Sequence, residues 1–108
     1  MFVLITNADP AARVSVEEAD DCTRLHVSAD GLDDTVIGEV LRSDELGLPG
    51  EPGRVWLDVT ALHARARAGV RVTDWDDRFN AMLDHARGRG WLNGSGTLVA
   101  AHIVREEP

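Results

Sequence analysis

"TDWDDRFNAMLDHARGRGWLNGSGTL", residues 73–98, decides how this chain is read. Trp75, Phe79, Met82, Leu83 and Ala86 recur at i, i+4, i+7, i+8 and i+11, the apolar stripe of an amphipathic helix. Thr73 stands where an N-cap is expected, and Asp76, three residues on, completes a capping-box-like pair. Gly88 or Gly90 ends the helix. "WLNGSGTLVAAHIV" (91–104) then reads as a short strand, an Asn93-Gly94 turn and a second strand reaching Val104. Leu98, Ala100, His102 and Val104 share one face of that strand, and Val99, Ala101 and Ile103 the other. Both faces are mostly apolar, which places the strand inside a sheet.

Upstream, "ALHARARA" (61–68) predicts a shorter helix capped by Thr60 and ended by Gly69. "RVWLDV" (54–59) is a strand, with Trp56 on the face opposite Val55, Leu57 and Val59. "GLPGEPG" (47–53) holds three glycines and two prolines and reads as a loop. Residues 33–46 carry Val36, Ile37, Val40 and Leu41 as one helical stripe, with Asp33 or Asp34 as cap. Gly38 weakens that helix. "FVLIT" (2–6), "RVSVE" (13–17) and "TRLHVS" (23–28) read as strands, and the acidic "EADD" (18–21) suits a hairpin tip. The expected fold is α+β, one domain over 1–108, with an antiparallel sheet and about three helices packed largely on one side.

The order from residue 33 is helix, strand, helix, the "GVRV" turn, helix, hairpin. In this outline the C-terminal part resembles the winged helix-turn-helix family. That resemblance implies a helix, 74–87, that lays its outward face in a DNA groove. The residues oppose that role. The face opposite the stripe carries Asp77 and Asp84, with Asn80 and Ala81 beside them, and the first turn adds Asp74 and Asp76. Acids at the centre of a groove-facing surface repel phosphate. Acids at the start of this helix and Arg87 and Arg89 at its end are accounted for by the helix dipole alone.

The formal net charge is −8, and it is unevenly spread. Residues 1–53 carry 12 acids against three arginines, whereas residues 54–105 carry five acids against eight. All basic residues are arginine. A strongly acidic half repels nucleic acid and membranes and favours a basic protein partner. No apolar run approaches the ~18 residues of a membrane span. The start of the chain reads as a strand and not as a signal peptide. A single cysteine, Cys22, suits a reducing cytoplasm.

No catalytic motif is present. Cys22 and His26 are four apart among acids, but no second ligand pair completes a zinc site. "DGLDDTVIGE" (30–39) does not match a calcium loop, and Ser95 in "NGSG" lies between strands and not at a nucleophile elbow. Neither metal nor cofactor is expected. The leading expectation is an acidic cytoplasmic interaction or regulatory module, binding a protein through Glu17, Glu18, Asp20 and Asp21 or through Trp56, with a homo-oligomer open. The alternatives are a nucleic-acid-binding protein and a small enzyme or enzyme subunit whose pocket holds His63, His85 or His102. His102 gains weight if it faces a pocket with Trp56 or Trp91.

Overall fold

The computed structural model describes residues 1–6, 12–29 and 31–105. Six strands form one sheet: β1 (Phe2–Thr6), β2 (Arg13–Glu17), β3 (His26–Ala29), β4 (Gly47–Pro49), β5 (Arg54–Asp58) and β6 (Leu98–Val104). Among the described residues there are three helices: α1 (Asp34–Ser43), α2 (Val59–Arg67) and α3 (Trp75–Gly88). The α+β class and the three helices agree with the sequence reading.

The sheet is mixed and not antiparallel throughout. Its order is β2-β1-β3-β6-β5-β4, and the central pairs β1–β3 and β3–β6 are parallel. Local patterning cannot reveal this, because strand direction is set by the route of the connections. The "EADD" segment is accordingly not a hairpin tip. β1 lies between β2 and β3, and residues 18–25 cross the start of β1, where the N-terminal amine of Met1 donates to the Asp21 carbonyl at 2.6 Å. The winged-helix outline is not reproduced. α2 and α3 do precede a turn and a strand, but β6 pairs with β3 on one side and β5 on the other, inside the sheet. Residues 91–93 meet it through the single bridge Leu92↔Val99.

Every second sheet residue faces the helices. Val3, Ile5, Val27, Val55, Leu57 and Val99 are buried, and over them close Ile37 and Leu41 of α1, Leu62 and Ala66 of α2, and Trp75, Phe79 and Ala86 of α3. Each of the larger side chains contributes on the order of 1.5–3 kcal/mol by leaving water, and the alanine methyls less. The expected stripe on α3 is thus the stripe that packs. Trp75 also satisfies its one polar atom, since Nε1 donates to the Ala19 carbonyl at 2.6 Å.

The boundaries differ in ways that have physical causes. α3 starts one residue late, after Asp74, and no side chain caps it. Asp76 does not close a capping box; its carboxylate is held by His63 and Arg67. Asp58, not Thr60, caps α2, its Oδ1 accepting from Ala61 N at 2.9 Å. Asp33 caps α1 as expected. Gly38 has a packing reason: a Cβ there would stand 2.6 Å from Pro49 Cγ, so α1 lies directly on β4. The "GLPGEPG" loop contains that short strand. Proline is tolerated there because β4 is a sheet edge.

Candidate functional site

The opposite sheet face carries no helix stripe. It presents Phe2, Leu4, His26, Ala100, His102 and Trp56, half-buried or exposed. The hollow part of this face follows from the pairing of β6. Along one edge β6 is paired by β5 over residues 98–102. Along the other, β3 pairs only with 102–104, and residues 91–93 take up the 98–100 end. Between those two partners a cleft opens beside Ala100.

Trp91 stands in this cleft, and the backbone pins it from both sides. Its N–H donates to the Ala86 carbonyl at 2.8 Å at the end of α3, and its carbonyl accepts from Ala100 N at 2.7 Å. Gly90, at φ +77°, makes the reversal between those bonds. Asn93 Oδ1 then accepts from Thr97 N and Leu98 N and closes the turn. The Trp91 ring is half-buried. The Arg89 guanidinium lies 5.7 Å from the ring centroid, and the His85 ring 6.1 Å away at an edge-on 70°.

Two hollows flank the ring. One, of about 270 Å³, runs between α3 and residues 23–25; Leu25, Met82 and Leu83 form apolar walls, with Arg24, His85 and His102 at the polar positions. The other, of about 170 Å³, lies over β5 and is bounded by Arg54, Trp56 and Glu51. The first hollow shares Thr23, Met82 and His85 with a more open depression of about 460 Å³, where Asp20, Asp21, Cys22 and Arg78 stand.

The sequence-predicted residues divide accordingly. His85 and His102 line the same cavity, together with Trp91. Trp56 lines the neighbouring one. His63 is elsewhere: it packs 5.0 Å from Trp75 and 5.1 Å from Phe79, with Nε2 2.8 Å from Asp76 Oδ1. Glu17 and Glu18 are exposed, and Glu18 adopts the left-handed φ of +53°. Asp20 and Asp21 are tied inward: Asp20 Oδ1 accepts from Arg71 N at 3.1 Å, and Asp21 Oδ1 from Thr23 N at 3.0 Å. The Thr23 hydrogen bonds hold the Asp21 carboxyl below its usual range. Burial pushes the Cys22 thiol up, away from reactive thiolate character. His26 stacks on Phe2 at 5.1 Å and 12°, and burial, then the N-terminal amine and Arg24, lower its basicity.

Arg24 and Arg54 were not singled out by the sequence, which reads Arg89 only as a partner of the helix dipole. Their common feature emerges only in three dimensions. Arg65, Arg67, Arg78, Arg87 and Arg105 are each held by a carboxylate of this chain. Among the described residues no such ion pair engages Arg13, Arg24, Arg42, Arg54, Arg71 or Arg89, and of these Arg24 and Arg54 line the hollows beside Trp91 while Arg89 lies over its ring. Compared with family models, curated proteins and solved structures, the chain matches none.

Proposed function

We propose that this chain is a small binding and regulatory module, and that it binds in the cleft around Trp91. The observation that carries this reading is the meeting of Trp91, His85 and His102 at one cavity of about 270 Å³, near the lower limit of small-molecule sites. An aromatic ring fixed by backbone on two sides is a preorganised contact, and preorganisation lowers the entropic cost of binding. The cleft supplies imidazoles, but among the described residues that line it there is no nucleophile with an adjacent base, so the reading is binding and not turnover.

Native mass spectrometry of the chain purified from its own cells tests this. The wild type is expected to carry an added mass that Ala100→Trp, which fills the cleft from β6, loses while keeping its far-ultraviolet circular dichroism. The same adduct on both forms would place binding elsewhere.

A second reading, a basic protein partner at the acidic side, is favoured by the charge distribution. Folding neutralises much of the arginine-rich half internally, while exposed Glu17, Glu18, Glu39 and Glu51 have no ion pair among the described residues. Charge reversal at Glu17 and Glu18 then slows association with that partner several-fold, and more so at low salt. An unchanged association rate removes this reading.

A further inference from the structure

Resting on the cleft as the binding centre, the geometry points to its ligand class: a small planar organic anion, with its ring on Trp91 and its carboxylate among Arg24, Arg54, Arg89, His85 and His102. The charge at this place is inverted relative to the rest of the molecule. The chain has 19 acids and a net charge of −8, yet no acid lines the cavity between α3 and residues 23–25. Carboxylates stand only in the hollows that adjoin it, Glu51 over β5 and Asp20 and Asp21 in the open depression beyond His85, where the Asp20 and Asp21 carboxylates already accept from Arg71 N and Thr23 N. Composition alone would put acids here more often than bases.

The arginines at the site are chemically available. Five arginines elsewhere are neutralised by the chain's own carboxylates; among the described residues six hold none, and of those six Arg24, Arg54 and Arg89 are the ones that stand around Trp91. A planar guanidinium both stacks on aromatic rings and takes a carboxylate by two parallel bonds. Arg89 already lies over the Trp91 ring. The walls are Leu25, Met82, Leu83 and Ala100, which accept an apolar body and offer it no hydrogen bonds. An uncharged ring would gain the walls but leave the cations unused. A cation would gain the rings but face the arginines. A planar anion uses both.

Three matched pairs of probes test this on the intact chain: cinnamate and cinnamamide, indole-3-acetate and indole-3-acetamide, 2-naphthoate and 2-naphthamide. The readout is the set of three tryptophan indole N–H resonances and the backbone amides of residues 23–25 and 100. The carboxylates are expected to move the Trp91 indole and leave that of buried Trp75 in place. At least one carboxylate should bind tenfold more tightly than its amide, and that preference should shrink as salt rises. Arg54→Gln and Arg24→Gln should each remove most of the preference without changing the amide's affinity. If amides bind as tightly as carboxylates at Trp91, the anion assignment falls and the cleft stands. If no probe moves the Trp91 indole at millimolar concentration, the cleft itself falls.

Discussion

The two ends of α3 are built from the same parts and come out differently. Each has a tryptophan, a histidine and an arginine. At the start, Trp75 is 1% exposed, His63 packs against it, and Asp76 gathers both His63 Nε2 and Arg67 at 2.7–2.8 Å. At the end, Trp91 is half-buried, His85 lies edge-on to it and Arg89 covers it, but no carboxylate closes the group among the described residues. One carboxylate and one more layer of cover separate a piece of core from an open site. The contrast also says why a count of aromatic and basic residues finds neither: the parts are equal, and only their satisfaction differs.

The largest break in this symmetry is in stability. Trp75→Ala removes a fully buried ring and is expected to cost about 3–5 kcal/mol by urea unfolding. Trp91→Ala removes a ring already half in solvent and is expected to cost less than about 2 kcal/mol. Equal losses at the two positions would mean that the C-terminal end is core as well.

Next comes the polar atom of each ring. Trp75→Phe keeps an aromatic body but leaves the Ala19 carbonyl with only the weak Cys22 Sγ donor at 4.0 Å, at a cost of about 1–3 kcal/mol. Among the described residues Trp91 Nε1 has no protein acceptor, so Trp91→Phe should stay within about 0.5 kcal/mol of wild type. The same pair of denaturation midpoints reads both.

The sequence makes one end of this comparison more legible than the other, and the reason is the range of the interactions. The stripe Trp75, Phe79, Ala86 is a period of one helix, and it predicts the buried face of α3 correctly. β1, β2 and the inward–outward alternation of β6 follow from local patterns in the same way. Sheet order does not, because β1–β3 and β3–β6 join segments whose pairing depends on how residues 18–25 and the long connection to β6 travel. The cleft is less legible still. Arg24, Arg54, Trp91 and His102 sit on four separate segments, with no spacing between them that a motif could express. His85 and His102 were within reach as candidates, but only as histidines, and His63 had the same standing until Asp76 was seen to hold it.

A smaller effect appears in acid. The His63 hydrogen bond, and after it Arg67, hold Asp76 below its ordinary value of 3.8. A carboxyl lowered by folding adds stability above its ordinary value and loses it as pH falls through the lowered one. Asp76→Asn removes that dependence. Between about pH 5 and pH 2 the wild type should therefore lose more stability than the variant, measured as the shift in urea midpoint. Asp34, lowered by Arg105 and the Gly53 N–H, and Asp21 remain in both proteins and set the shared background slope. Parallel slopes would show that the N-terminal end is held by packing alone, and the two ends of α3 would then differ in burial and not in charge.

The smallest expected change in stability separates structure from binding at the other end. Arg89→Gln keeps the length of the side chain and removes its charge. Arg89 is exposed and has no ion pair among the described residues, so the unfolding midpoint should move by no more than about 0.5 kcal/mol equivalent. Among the described residues its side chain meets only the Trp91 face, and at 5.7 Å, near the outer limit for such a contact, a cation over the ring contributes about 0.5 kcal/mol. For an anion stacked on that ring the same substitution takes away a neighbouring charge, so cinnamate affinity should fall about fivefold or more, the ~1 kcal/mol of a partly screened charge contact. Cinnamamide affinity should hold. At the closed end the corresponding change, Arg67→Gln, breaks an exposed ion pair and should cost up to about 1 kcal/mol with no effect on either probe. The two arginine variants thus invert each other: one touches binding and spares the fold, the other touches the fold and spares binding. If Arg89→Gln proves as destabilising as Arg67→Gln and leaves cinnamate unaffected, then Arg89 is a structural brace for Trp91, and both ends of the helix are architecture.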